Sequence, residues 1–321
     1  MIMARLYRKL AVFLVMCIMT FQFIGCTNTE SENNGKIKVV STIFASYDFA
    51  RQIGGNVADI TMLLKPGVES HSYEPSPKDI ITVQECDVFI YVGGENDAWV
   101  DNILESMDTS DMTIIKMIDL VDKYEEEAVE GMDGHEHTDE CEHDHSEWDE
   151  HVWTSPVNAI KICKALTEAF VKNDKANKAV YEENSDRYIE ELKKLDETFR
   201  KIVGTADRKV VVFGDRFPLR YFVEEYNLEY YAAFPGCSSE TEASAATVAF
   251  LIDKVKEEEI PVVFKIELSS DSMANTIAEG SGAKVLTFNT CHNVTSEEFE
   301  KGENYITLMY RNANALKEAI Q

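Results

Sequence analysis

Short apolar runs rich in β-branched residues alternate along most of the chain with segments whose apolar positions recur at helical spacing. Residues 36–44 (KIKVVSTIF) read as a buried strand, and 45–53 as a helix stopped by Gly54-Gly55. Residues 57–64 form a second predicted strand. Ser76-Pro77 opens a helix to Glu85, with proline at the first helical position, where its missing N–H costs nothing. A third strand starts at Asp87 and stops at Gly93-Gly94. A helix over 99–107 and a fourth strand over 112–117 follow. The alternation resumes later, with strands at 209–213, 228–234, 262–266 and 284–288. Helices are predicted at 221–226, 244–257, 272–279 and 305–319.

Between the two alternating stretches the texture changes. From Ser155-Pro156 to about Ile202 the pattern is almost continuously helical, with a break near Asn173-Asp174. Residues 181–203 contain no Gly or Pro and place Tyr188, Leu192, Leu195, Phe199 and Ile202 on one face. A helix of ~23 residues is roughly 34 Å long, enough to run along a molecule and join two lobes. The expected fold is therefore α/β: two lobes, each a mainly parallel sheet flanked by helices, joined by one long helix. The lobes are placed at 36–178 and 204–321, with the linking helix at 179–203.

The amino terminus sets the expected compartment. Arg5, Arg8 and Lys9 precede an apolar run over 10–24, the order of a secretory signal and short for a membrane span. Phe23-Ile24-Gly25-Cys26 resembles a bacterial lipobox, with Phe23 in place of the usual Leu. The resemblance implies a signal peptide over 1–25, lipid on the sulfur of Cys26, and a flexible stalk over 26–35. The folded part is expected outside the cytoplasm, tethered to the cell membrane. Five cysteines remain beyond the targeting segment, an odd number without framework spacing. Cys86 and Cys163 fall in apolar periodic segments and read as buried thiols, whereas Cys237 and Cys291 fall in turn-like sequence and their pairing is left open.

Charge adds a partner preference. The formal net charge is −27, and residues 124–150 carry thirteen acidic residues and no Lys or Arg. Such a chain repels nucleic acid and attracts cations. The same acidic stretch holds His135, His137, His143 and His145 around Cys141, four of the seven histidines in the chain. With no apolar periodicity, the tract reads as a soft metal-collecting loop. Two further histidines sit just before proline-initiated helices, His71 ahead of Ser76-Pro77 and His151 ahead of Ser155-Pro156. Both positions suit ligands in a crevice between lobes, and Asp149 or Glu150 is placed to fix the His151 tautomer.

These motifs together resemble one family. His71-Ser-Tyr73-Glu74-Pro75-Ser76-Pro77, the His-rich loop and Glu150-His151-Val-Trp153 look like the zinc/manganese substrate-binding lipoproteins of ABC transporters. The likeness continues through Tyr221-Phe222, Ser239-Glu240-Thr-Glu242-Ala-Ser244 and Tyr305…Met309…Asn312, and so covers residues 36–321 in order. It implies two α/β lobes on one rigid helix, capture of a divalent metal outside the membrane, and delivery to an ABC permease by a monomeric receptor. It also implies His71 and His151 as the first-lobe ligands, and Zn²⁺ as the cargo, with Mn²⁺ or Fe²⁺ as the other candidates.

The second lobe departs from the family pattern. The stretch Phe213–Phe222 lacks the usual His ligand and looks two residues longer; Asp215 is a possible donor, but Arg216 beside it repels a cation. Asn289 stands where an aspartate is usual, and a neutral amide is a poorer zinc ligand than a carboxylate. Glu267, at the end of a strand, and His292, the only second-lobe histidine, are the expected replacements, with Cys291 as a fallback. A metal gripped from both lobes would clamp them. Capture is expected to weaken as pH falls through ~6.5, because protonated imidazole cannot ligate. Two other classes compete, a zinc-dependent hydrolase and an adhesion or structural lipoprotein. No His-Glu-x-x-His or Gly-x-Ser-x-Gly motif supports the first.

Overall fold

The computed structural model describes residues 35–69, 73–132, 148–238 and 243–321. Cys26, His71, the loop residues His135, His137, Cys141, His143 and His145, and the stretch 239–242 lie outside the described residues. The fold is carried by Ile37–Gln321.

The first lobe holds β1 (Ile37–Ser41), α1 (Phe44–Gly54), β2 (Ala58–Met62), α2 (Pro77–Gln84), β3 (Val88–Tyr91), α3 (Ala98–Ser106), β4 (Thr113–Lys116) and α4 (Pro156–Asn173). Its sheet runs β2-β1-β3-β4 with every pair parallel. α5 (Lys178–Gly204) follows. The second lobe contains β5 (Val210–Phe217), α6 (Arg220–Tyr226), β6 (Glu229–Pro235), α7 (Ala245–Glu257), β7 (Val262–Ile266), α8 (Ser272–Ser281), β8 (Lys284–Phe288), α9 (Ser296–Glu300) and α10 (Tyr305–Ile320). Its sheet repeats the first one's order as β6-β5-β7-β8, again all parallel. Parallel strands need crossovers, and the intervening helices supply them, covering faces that are apolar on both sides.

Local signals explain the boundaries. Ser76 and Asp79 form a reciprocal capping box at the start of α2, with Pro77 at the first helical position. Ser155 accepts a hydrogen bond from the Asn158 N–H at the start of α4, again just before a proline. Asp174 ends α4, and its carboxylate accepts from the Asn177 N–H at the start of α5. α5 buries Tyr181, Tyr188, Leu192, Leu195, Phe199 and Val203, so its apolar stripe reaches further than the sequence pattern suggested; Ile202 is only partly covered. It packs against α1 and α4 of one lobe and α10 of the other, and one continuous core runs along it through both.

Three differences from the sequence reading bear on the site. β1 stops at Ser41 instead of continuing to Phe44, which already begins α1. β5 extends to Phe217 and contains a bulge between Phe213 and Arg216, which absorbs an extra residue in the stretch that looked too long. α9, capped reciprocally by Thr295 and Glu298, was not anticipated. The two ends of the acidic segment lie side by side: Glu125 bridges Trp148, and the Asp149 N–H donates to the Tyr124 carbonyl at 2.9 Å.

Candidate metal centre

His151 sits in the turn that leads into α4 and is completely buried. Asp149 holds it twice: its Oδ1 accepts the His151 backbone N–H at 2.8 Å and lies 3.1 Å from Nδ1. With Nδ1 engaged, Nε2 is the ring nitrogen available for ligation. The turn is itself fixed from the second lobe. The Tyr221 hydroxyl donates to the Asp149 carbonyl, the Tyr305 hydroxyl donates to the Trp153 carbonyl, and Trp153 Nε1–H donates to the Thr290 carbonyl, each at 2.8 Å.

His292 approaches from that second lobe. Its ring centroid is 5.7 Å from that of His151 and 5.0 Å from that of Trp153. The loop after β8 achieves this through Cys291, whose φ of 60° reverses the chain. Cys291 then turns its thiol into the core, where burial, followed by the charges of Glu267 and Asp48, pushes its pKa well up. Glu267 is spent on the same loop. Its carboxylate accepts from the Thr290 N–H and hydroxyl, both at 2.6 Å, and from the His292 N–H at 3.3 Å. Burial raises its pKa against these hydrogen bonds. The structure thus gives Glu267 the shape of a buttress for the His292 loop.

The other second-lobe candidates are also engaged. Asp215 accepts from the Arg216 N–H at 2.8 Å, the Ile266 N–H at 3.1 Å and the Ser269 hydroxyl. The Arg216 guanidinium reaches instead to Glu69 of the first lobe, at 3.1 Å. Asn289 and Asn312 bond to each other reciprocally inside the protein. Cys237 and Cys291 are both free thiols, so no disulfide joins them.

Sequence reasoning did not pick out one grouping as a donor set. Glu150, His151 and Cys237 each offer a donor atom, and these atoms all lie within 4.8 Å of one another. Cys237 follows β6, at the carboxyl end of a parallel strand. The rule that pointed to His292 would have pointed there too. Two glycines leave room for the cluster. A Cβ on Gly94 would fall 2.0 Å from the Glu150 Oε2, and one on Gly236 would fall 3.3 Å from the His151 Cε1. Glu126, beside the neck of the acidic segment, accepts the Cys237 N–H at 2.8 Å.

The site is electron-rich. Burial alone would lower the His151 pKa, but Asp149, by charge and hydrogen bond, and then Glu150 and Glu126 outweigh it and raise it. The Cys237 thiol is pushed up first by burial and then by Glu150, Glu126 and Asp149. Imidazole, thiol and carboxylate donors in a negative pocket are the chemistry of a borderline transition metal.

Known proteins share this fold and are similar in sequence. The chain is 34% identical over 305 residues to the high-affinity zinc uptake system protein ZnuA of Bacillus subtilis, covering 92% of this chain and 93% of that one. It is 32% identical over 299 residues to the zinc-binding lipoprotein AdcA of Streptococcus pneumoniae, of whose length it spans 58%. The solved Zn(II)-bound ZnuA-like domain of that AdcA superposes with a TM-score of 0.72 at 30% identity, covering 89% of this chain and 99% of the domain. Residues 39–319 match the sequence profile described as ZnuA, zinc-uptake complex component A periplasmic, and the chain belongs to that family.

Proposed function

We propose that this chain captures Zn²⁺ outside the cytoplasm and hands it to an ABC permease, as a non-catalytic receptor tethered through lipid on Cys26. The observation that carries the reading is the buried imidazole of His151, oriented by Asp149 and met by His292 from the other lobe. His71 is the third imidazole of the proposed set. Glu69 and Tyr73, on either side of residues 70–72, each line a cleft that His292 also lines. Asn293 Nδ2 donates to the carbonyls of Lys65 and Val68, both at 2.8 Å, tying the chain just before His71 to the His292 loop. The names of the relatives from Bacillus subtilis and Streptococcus pneumoniae support zinc over manganese or iron, and nitrogen-rich donors support it over manganese.

Replacing His151 and His292 together with Ala should abolish the tight equivalent of Zn²⁺ in a chelator competition, and growth in zinc-poor medium with it. A double variant that still holds one tight equivalent would sink this reading.

A further inference from the structure

We propose that Cys237 supplies a thiolate to the metal gripped by the imidazoles of His151 and His292, taking the place in the coordination sphere that Glu267 would otherwise fill. The proposal rests on the metal-receptor reading above and names its donor set.

The geometry is close to what a metal needs. Tetrahedral zinc, with bonds of ~2.0–2.3 Å, holds its donors roughly 3.3–3.8 Å apart. The donor atoms of Glu150, His151 and Cys237 lie within 4.8 Å of one another, so a shift of about 1 Å brings the Cys237 sulfur and a His151 nitrogen to the separation that one zinc ion needs. His151 sits in a buried first-lobe turn with Glu150 beside it, and the thiol comes from the opposite lobe, just after β6. Cys237 is therefore a second-lobe donor, the kind the sequence lacks at 213–222. Glu267, by contrast, already takes three hydrogen bonds from the loop that presents His292. Recruiting it would strip that loop of its support.

The thiol position is built. Its backbone N–H is bonded to Glu126, its sulfur receives a backbone hydrogen bond from Glu150, and Gly236 before it keeps a Cβ away from His151. On binding, the S–H bond breaks, the sulfur lone pair forms the bond to Zn²⁺, and the proton leaves to solvent. A thiolate ligand favours Zn²⁺ over Mn²⁺, which prefers oxygen donors. Cys237 is thereby a determinant of which metal this receptor accepts.

The test uses Co²⁺ as a spectroscopic stand-in on the full chain in detergent. Wild type and the Cys141→Ser and Cys291→Ser variants should show a sulfur-to-cobalt charge-transfer band at one equivalent, and Cys237→Ser should lack it. Cys237→Ser should also lower Zn²⁺ affinity about 100-fold while changing Mn²⁺ affinity less than about tenfold. X-ray absorption of the Zn²⁺-loaded wild type should show one sulfur at about 2.3 Å, a readout that needs no variant to fold. A band that survives Cys237→Ser, or a loaded wild type with only nitrogen and oxygen neighbours, overturns the thiolate and leaves the receptor intact. A wild type that binds neither Zn²⁺ nor Co²⁺ overturns the receptor reading and the thiolate with it.

Discussion

Asp149 orders the His151 imidazole and raises its basicity through a single oxygen, Oδ1, which meets both the ring and the backbone N–H of the same residue. Supporting carboxylates of this kind typically contribute 10–100-fold to metal affinity. Asp149→Ala is expected to lose about that much in a competitive zinc titration, with the far-ultraviolet dichroism unchanged. Asp149→Asn, which keeps an acceptor but loses the charge, should fall between the two. An unaltered affinity in Asp149→Ala would mean that His151 needs no orienting partner. A second buried carboxylate gives a pH prediction. Asp97 Oδ2 accepts the N–H groups of Val92 and Gly93 at 2.7 and 3.1 Å, yet its burial, aided by Asp101, outweighs them and raises its pKa. The folded state therefore holds the Asp97 proton more tightly than the unfolded chain does. That contribution to stability is fully present below the unfolded value of ~3.9 and is lost as pH rises through the folded one. Asp97→Asn keeps an oxygen for both N–H groups and has no charge to bury. Its Tm should exceed that of wild type at pH 8, with the difference shrinking toward pH 4 in paired thermal melts.

Among the elements, α5 shows what periodicity makes readable. Tyr188, Leu192, Leu195 and Phe199 all carry the three- and four-residue spacing, and all four are buried. Leu192 is fully enclosed, so Leu192→Ala should cost about 2–5 kcal/mol in urea unfolding. A cost below about 1 kcal/mol would mean that the linking helix is not part of the core. The strands were readable for the same reason, since each is a short apolar run bounded by turn residues. The site was readable only in part. His151 and its carboxylate partner are two residues apart, and a local relation of that kind survives in sequence. The standing of Glu267 was not readable, because it depends on how the loop after β8 turns back at Cys291, a backbone detail without periodicity. The bulge in β5 was hidden likewise and surfaced only as a stretch that looked too long. In the sequence Cys237 is only a thiol in a turn, and its meeting with Glu150 and His151 joins residues more than eighty positions apart, which no local pattern encodes.

For the whole molecule, the contacts between lobes brace the turn that carries His151 and the loop that carries His292. Trp153, Tyr221 and Tyr305 tie the His151 turn to the second lobe, while Phe44 N–H donates to the His292 carbonyl at 3.0 Å from the first. Both sides of the proposed metal centre are thus braced across the lobe boundary. Closure and release should involve small tilts and loop shifts, with the long helix limiting the range. The acidic segment enters and leaves beside this centre, its ends pinned at Glu125–Trp148 and Tyr124–Asp149, and Glu126 touches the Cys237 backbone. Because those pinned ends lie outside 133–147, that stretch can be replaced by a short Gly-Ser turn without disturbing them. The deletion removes four histidines, one cysteine and seven acidic residues. A donor set preformed by tertiary contacts binds more tightly than one that the metal must order, so the two classes of site should separate by affinity. Calorimetry on the deletion variant is expected to retain one tight equivalent of Zn²⁺ and to lose the weaker ones. The association rate should fall as well, and its salt dependence flatten, because part of the negative field that draws cations toward the cleft is gone. Loss of the tight equivalent on deletion would move the primary site into the His-rich tract and leave the pocket around His151 without its cargo.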